Sequence, residues 1–210
     1  IFTKGFENVG SGGGGGNGKY AGGGGGANSG YGANGGFESE SCSPAQDIGG
    51  KRGEGFGYSN SSGDFSFNRI FLGGGGGTGT QNPSLNRFAT PGGDGGGIII
   101  LLADTVIGNG YKITANGESV LEPATAGAGG GGGGGVIVID AGYIQDISFE
   151  ARGGDGGDVS TGFEKSGPGG AGGGGVVWYN DNLISLSDYD VSAGKSGTVG
   201  GDKYGADGEA

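Results

Sequence analysis

Residues 95–102 read GGG-IIILL, a glycine run that leads without a break into a block of aliphatic residues. The same junction returns at 129–139, GGGGGGG-VIVI, and at 172–179, GGGG-VVWY. The apolar blocks begin at residues 98, 136 and 176, so successive starts are 38 and 40 residues apart. A nearly fixed period of this length is typical of a repeated structural unit. The sequence therefore predicts three copies of one unit between residues 92 and 210.

Each apolar block is followed by a second, alternating stretch that ends in a small residue. These stretches are KITA at 112–115, SFEA at 148–151 and DVSA at 190–193. The predicted unit is a strand, a short turn, a second strand and then a long glycine-rich excursion. A continuous apolar block indicates a strand covered on both faces, as in a parallel sheet. Parallel strands need long connections, which the glycine-rich excursions supply.

Glycine accounts for 64 of the 210 residues, but only 5 are proline and no Gly-X-Y period is held, which excludes collagen. A glycine held in a regular element costs roughly 0.5–1 kcal/mol relative to alanine. Several dozen would exceed the usual net stability of a domain, about 5–15 kcal/mol. Backbone hydrogen bonds between neighbouring runs can offset that cost, as in packed polyglycine II helices, which resemble polyproline II and have no internal hydrogen bonds. The predicted fold is all-β, a parallel β-solenoid or sandwich-like core of short strands with glycine-rich arms packed as polyglycine II helices.

Two regions differ in pattern and together are expected to form one continuous structural unit. Residues 1–91 form an N-terminal glycine-rich region with edge strands predicted at its start and at 64–72, and with an irregular segment at 37–64. Residues 92–210 form the three-repeat region of strands and glycine-rich arms. We interpret 37–64 as a surface elaboration, since loops carry the variable contacts of most folds.

Charge and cysteine content limit the function classes. The net charge of −11 disfavours nucleic acid, which is bound through clustered Lys and Arg. No apolar run reaches the roughly 18 residues that a membrane span needs. Cys42 is the only cysteine, so no disulfide forms within the chain. Together these features favour an extracellular location, with Ile1 either a processed terminus or the edge of a fragment.

The absence of histidine removes the usual nucleophile–base pairs and zinc sites, so no catalytic residue and no organic cofactor is predicted. Carboxylates remain. Asp140, Asp146, Asp188 and Asp190 fall near predicted strand ends, where two carboxylates could serve glycoside hydrolysis, although we interpret them as turn residues. The GGDGG units favour two alternatives: Ca²⁺ ligation together with backbone carbonyls, or acceptance of N–H bonds in turns. The candidate calcium ligands are Asp94, Asp155, Asp158 and Asp202.

The stretch RIFLGGGGG at 69–77 and TPGGDGGGIII at 90–100 resemble the glycine-rich repeats of large secreted surface proteins of Bacteroidetes. The segment IGNGYKITANG at 107–117 and the block at 129–139 fit the same pattern, so the resemblance covers roughly residues 65–200. It implies export of the type IX secretion kind and roles in adhesion and gliding. By its glycine runs alone the chain is also similar to the polyglycine-helix domains of phage tail-tip adhesins and of anaplastic lymphoma kinase-type receptors.

The function expected from these features is that of a non-enzymatic extracellular structural protein that self-assembles into a surface filament or sheath. An incomplete repeat at 200–210 could be completed by a neighbouring molecule. The alternative is an adhesin that contacts a surface glycan or a host protein through residues 37–64. An ice-binding protein would require a flat regular face, which the charges and tyrosines disfavour. An enzyme acting on polysaccharide is the least favoured class.

Overall fold

The computed structural model describes residues 9–37, 49–56, 70–81, 86–160, 166–180 and 188–200, together with the backbone of 202–203. Several sequence predictions lie outside these ranges. They are the opening edge strand, Cys42, most of the irregular segment 37–64, most of the strand at 64–72, and the side chain of Asp202. The predicted division at residue 91 also stays a prediction, although backbone hydrogen bonds such as Gly26 N–H to Gly131 O (2.9 Å) join its two sides.

The described chain is built from strands and extended segments, and no helix occurs in the described ranges. The strands are β1 (Ile98–Thr114), β2 (Val136–Glu150), β3 (Val176–Tyr179), β4 (Tyr189–Asp190), β5 (Thr198–Val199) and β6 (Asp202–Lys203). The first four form one parallel sheet in which β2 lies between β1 on one side and β3 and β4 on the other. The last two pair as an antiparallel hairpin. The all-β class and the parallel sheet are therefore confirmed.

The glycine-to-aliphatic junctions set the register of this sheet. Ile98 lies opposite Val136, and Val136 lies opposite Val176, so the first residue of each apolar block is paired with the first residue of the next. The spacing of 38 and 40 residues in the sequence is thus the spacing of neighbouring strands. The prediction that both faces of these blocks are covered is wrong for β1 and β3, because Ile100, Leu102 and Trp178 are 58%, 70% and 45% exposed.

Alignment of SFEA at 148–151 with DVSA at 190–193 would place Ser148 opposite Asp190. In the structure Glu150 pairs with Asp190 instead, so the predicted alignment of the third stretch is wrong by two residues. The small residue that ends each stretch does not identify equivalent positions. Val191 follows Asp190 just as Ala151 follows Glu150, so the residue equivalent to Ala151 is a valine. Strand β1 is two residues longer than β2 for a separate reason: its pairing with β2 shifts by two residues between Ile107 and Tyr111.

Each long strand doubles back on itself. The segments before and after β2 bond to each other antiparallel, through Gly154 N–H to Gly132 O (2.8 Å) and Gly157 N–H to Gly129 O (2.9 Å). The reversal coincides with a positive φ of 52° at Asp146 in β2. In β1 the same role falls to Asn109 (φ 50°) and Gly110 (φ 78°). In β1 and β2, the predicted strand, short turn and strand therefore form two arms of one strand.

The two arms face each other across a small apolar core. Ile137 and Ile139 of the first arm and Phe149 of the second are fully buried in one cluster, together with Ala151. Odd-numbered residues of the first arm point into this core, so even-numbered residues such as Val138 and Trp178 lie on the outer face of the sheet.

Extended tracts carry the chain between strands, and we number them in chain order. They are tracts 1 to 11, at 9–16, 21–28, 30–36, 49–56, 70–81, 88–97, 115–125, 126–135, 151–160, 166–175 and 191–199. Tracts 6, 8 and 10 lead into β1, β2 and β3. Tracts 7 and 9 leave β1 and β2, and tract 11 leaves β4.

Tract 2 lies at the centre of a group of six neighbours. Its successive N–H groups donate to three of these neighbours in turn, so the pattern repeats every three residues. Residues 22 and 25 donate to tract 3, residues 23 and 26 to tract 8, and residues 24 and 27 to tract 1, at 2.8–2.9 Å. Its carbonyls accept with the same period from tracts 4, 5 and 10, at 2.7–3.0 Å. Tract 8 likewise has six neighbours, which are tracts 2, 5, 6, 7, 9 and 10. The lateral hydrogen bonds that the glycine content predicts are present.

Close approach between tracts explains why these positions hold glycine. A Cβ at Gly25 would lie 1.7 Å from the carbonyl oxygen of Ala171, and one at Gly23 would lie 1.9 Å from that of Gly77. Such distances are far inside van der Waals contact. Any other residue at these two positions would force the tracts apart and break the hydrogen bonds that join them.

Candidate functional site

The period of three also decides where the bundle carries polar side chains. In tract 9, residues 152, 155 and 158 are exposed and the residues between them are buried. In tract 6 the exposed positions are 88, 91, 94 and 97. The GGDGG units therefore place an aspartate at the one position in three that faces solvent. The carboxylate needs no space inside the bundle.

Two of the four candidate calcium ligands have defined backbone partners. Asp155 Oδ1 accepts the N–H of Lys195 at 2.8 Å, and Asp158 Oδ1 accepts the N–H of Thr198 at 2.7 Å. Asp158 Oδ1 also accepts the Thr198 hydroxyl at 2.9 Å. These N–H groups belong to tract 11, at the surface of the bundle. The carboxylates thus act as backbone acceptors between straight tracts, whereas the sequence placed this role in turns.

Sequence reasoning missed other acceptors of the same kind, among them two in tract 7. Asn116 Oδ1 accepts the N–H of Arg152, and Ser119 Oγ accepts the N–H of Asp155, both at 2.8 Å. Asn116 and Ser119 lie three residues apart in tract 7 and 36 residues before their partners. A search of the repeat for polar residues at a spacing of three could have found them.

The calcium candidates do not meet at one place in the described chain. Asp94 lies in tract 6, where its own N–H donates to Glu118 Oε2 at 3.0 Å, while Asp155 and Asp158 lie in tract 9. Within the described ranges, no group of three or more His, Cys, Asp or Glu side chains could hold a metal ion. The side chain of Asp202 lies outside those ranges. Calcium binding by these residues stays a prediction.

Two ion pairs fasten the ends of neighbouring strands. Lys112 Nζ donates to Glu150 Oε1, and Arg152 Nε lies 3.4 Å from Asp190 Oδ2. The pKa of Glu150 lies below its ordinary value because Lys112 and then Asn116 donate hydrogen bonds to the carboxylate. The pKa of Asp190 is also lowered, chiefly by hydrogen bonds from Ser192. A glycosidase general acid needs a raised pKa, so Asp190 is unsuited to that role.

The outer face of the sheet carries a row of apolar side chains beside a row of polar ones. Ile100, Val138 and Trp178 are paired in register, and two residues further on Asp140 follows Val138. Asn180 follows Trp178 in the same way, and its Nδ2 donates to Asp140 Oδ1 at 2.7 Å.

An open cleft lies beside this polar row. Its volume is about 590 Å³, and it is lined by Leu102, Ala103, Asp104, Asp140, Ala141, Gly142 and Asn180. Trp178 is 45% exposed. Of the candidates named for glycoside hydrolysis, only Asp140 lines this cleft. No signal in the sequence predicted the cleft, because Leu102, Asp140 and Asn180 become neighbours only through the register of the sheet.

No protein-family model, no curated protein and no solved structure matches the chain. In the described part of the chain, no helix has the length and apolar character to cross a membrane.

Proposed function

We propose that the chain is a non-enzymatic extracellular structural protein whose copies associate edge to edge into a surface filament or sheath. The observation that carries this proposal is the edge of β1. Among the described residues β1 pairs with β2 alone. Ile100 and Ile107 are each 58% exposed and Tyr111 is 77% exposed on this strand. An apolar strand with unpaired N–H and C=O groups is a template for another strand.

The architecture of the unit supports addition of further units. The first two units each consist of an incoming tract, a strand that doubles back and an outgoing tract, and we interpret the whole as a β-solenoid with polyglycine II arms. Units of such a stack contact only their neighbours, so the same contacts can be repeated without limit. A fourth unit placed on β1 would extend both the sheet and the bundle.

A head-to-tail contact suits the two different edges of the sheet. The far edge consists of β3 and β4, followed by tract 11, whose end pairs with β6 through Thr198 and Lys203. That hairpin occupies the end of tract 11 and leaves β3 to pair with an incoming β1. A heterologous contact between two different surfaces builds an open filament when its rotation does not close a ring.

Electron microscopy of the purified protein at neutral pH, with light scattering over a concentration series, tests the proposal. We expect filaments from the wild type and none from the double variant Ile100→Lys, Ile107→Lys, because charges on an edge strand oppose pairing. Val9→Lys is the matched control, since Val9 is 87% exposed in tract 1, outside the sheet. A wild type that stays monomeric at every concentration, or a double variant that assembles normally, would contradict the proposal.

A binding module is the second candidate. Segment 37–64, which the sequence favours as the contact region, lies mostly outside the described residues. The observation that favours binding is instead the cleft lined by Asp140 and Asn180, at about 590 Å³ within the size range of ligand sites, about 300–1,000 Å³.

A further inference from the structure

We propose that the outer face of the sheet carries a binding site for a neutral glycan, formed by Trp178, Asp140 and Asn180. The site deepens the second candidate function and does not depend on filament formation. Its elements are an exposed indole, an adjoining cleft and a row of oxygen atoms that can accept hydrogen bonds from hydroxyl groups. Among the described residues that line the cleft, none is aromatic or cationic, and Trp178 lies two residues before Asn180, which is one of them.

Trp178 supplies the apolar part of the site. Its side chain stands on the outer face at the end of β3 with nearly half of its surface open to solvent. A sugar ring has an apolar C–H face that stacks on an aromatic ring, and an amphipathic indole offers large contact area with little conformational entropy to lose. Val138, in register beside it, extends the apolar floor towards Ile100.

The polar part lies within reach of a ring stacked on Trp178. Asn180 is two residues further along the same face, which at the rise of an extended strand is roughly 6.6 Å. Asp140 is held beside it by the 2.7 Å hydrogen bond from Asn180 Nδ2. That bond uses Asp140 Oδ1, so Oδ2 remains to accept a hydroxyl, and Asp104 adds a second carboxylate across the cleft.

Asn180 contributes a further reason to expect a ligand. Its Oδ1 is buried and has no hydrogen-bond partner in the described chain. An unsatisfied buried acceptor costs about 1–3 kcal/mol. A small rotation of the amide towards the cleft would let a ligand hydroxyl satisfy this oxygen while Nδ2 continues to donate to Asp140 or to Ala141 O.

Charge selects a neutral ligand over an acidic one. Asp104 and Asp140 both line the cleft, and the whole chain carries a net charge of −11. Carboxylates accept hydrogen bonds from hydroxyl groups but repel uronate, sulfate and sialate groups. The ligand class is therefore a glycan of neutral hexoses rather than an anionic polysaccharide.

The chain has one tryptophan, so its fluorescence reports on this site alone. We would titrate the full chain with cellohexaose, laminarihexaose, maltohexaose and mannohexaose, and with hexagalacturonate as the acidic probe. We expect a saturable change in Trp178 emission with at least one neutral hexaose and a weaker response to hexagalacturonate. Calorimetry of the neutral hexaose that binds most tightly then measures the affinity of the variants.

Trp178→Ala should lower that affinity about tenfold or more, the equivalent of 1.4 kcal/mol. Trp178→Tyr should retain most of it, which separates stacking from a failure to fold. Asp140→Asn should weaken binding severalfold, whereas Tyr111→Ala, an exposed aromatic on β1, should leave it unchanged. The proposal would be overturned by no response to any neutral hexaose, by a Trp178→Ala variant that binds like the wild type, or by equal affinity for hexagalacturonate.

Discussion

The carboxylate of Asp155 accepts the backbone N–H of Lys195, with 2.8 Å between Oδ1 and N, although the two residues are 40 positions apart. Asp158 and Thr198 repeat this contact three residues further on. Inside the bundle an N–H group is satisfied by a neighbouring carbonyl. At its surface, where the described chain adds no further tract, a side chain from the adjacent tract takes the place of that carbonyl.

Removal of these acceptors should lower stability in proportion to the bonds lost. Asp158→Ala should cost more than Asp155→Ala, since Asp158 accepts two hydrogen bonds from Thr198 and Asp155 accepts one from Lys195. We expect about 0.5–1.5 kcal/mol per bond in chemical denaturation. Asp94→Ala is the control, because the contacts described for Asp94 involve only its backbone. Equal losses in all three variants would contradict the role assigned to the two carboxylates.

Two glycine substitutions should have opposite outcomes. Gly25→Ala places a Cβ 1.7 Å from the carbonyl oxygen of Ala171, so we expect a loss of at least about 3 kcal/mol or a failure to fold. A Cβ at Gly97 meets nothing within 4 Å. Gly97→Ala should therefore be neutral or stabilise by a few tenths of a kcal/mol to about 1 kcal/mol through the unfolded state. The midpoints of urea unfolding measure both, and similar midpoints for the two variants would count against close packing of tract 2.

Stability should decrease in acid. Glu150 and Asp190 have lowered pKa values in the folded chain, because Lys112 and Ser192, respectively, donate hydrogen bonds to the ionised forms. A lowered pKa contributes stability that is present above the ordinary values of 4.5 for Glu and 3.8 for Asp. That contribution is lost as the pH falls through the folded pKa. The melting temperature between pH 7 and pH 2 should show this loss, and the loss should be smaller in Glu150→Gln. An unchanged acid slope in that variant would exclude Glu150 as a source.

Calcium should not be needed for folding. Asp155 and Asp158 each commit Oδ1 to a backbone N–H, and Asp94 lies in a different tract. We expect the same melting temperature in 5 mM EGTA and in about 5 mM CaCl₂, because a ligand that binds only the folded state would raise it. A rise with CaCl₂ that Asp155→Ala abolishes would instead establish the calcium site that the GGDGG units predict.

The repeat was predictable because the same residue types recur at a nearly fixed spacing. Apolar blocks that start at 98, 136 and 176 could be aligned by eye, and the sheet pairs Ile98, Val136 and Val176 accordingly. The lateral bonding of glycine tracts followed from energetics, since nothing else could offset their entropy.

The candidate site was less accessible to sequence reasoning. Which tracts touch depends on three-dimensional neighbours, so the sequence could not distinguish a metal ligand from a backbone acceptor at Asp155. Trp178 is exposed because the even-numbered residues of β3 face away from the core. The cleft at Asp140 forms only when the strands pair. Neither property is visible in the sequence GGGG-VVWYN.

Hydrogen exchange of the amides of residues 22–27 tests the packing of glycine tracts most directly. Together these N–H groups donate to three different tracts at 2.8–2.9 Å. In ¹⁵N-glycine-labelled protein we expect the amides of Gly22 to Gly26 to exchange at least about a thousandfold more slowly than unstructured glycine, because they open only when several tracts separate. Exchange at the unstructured rate, with the sheet amides of β2 still protected, would show these glycines bonded to water and would contradict the account.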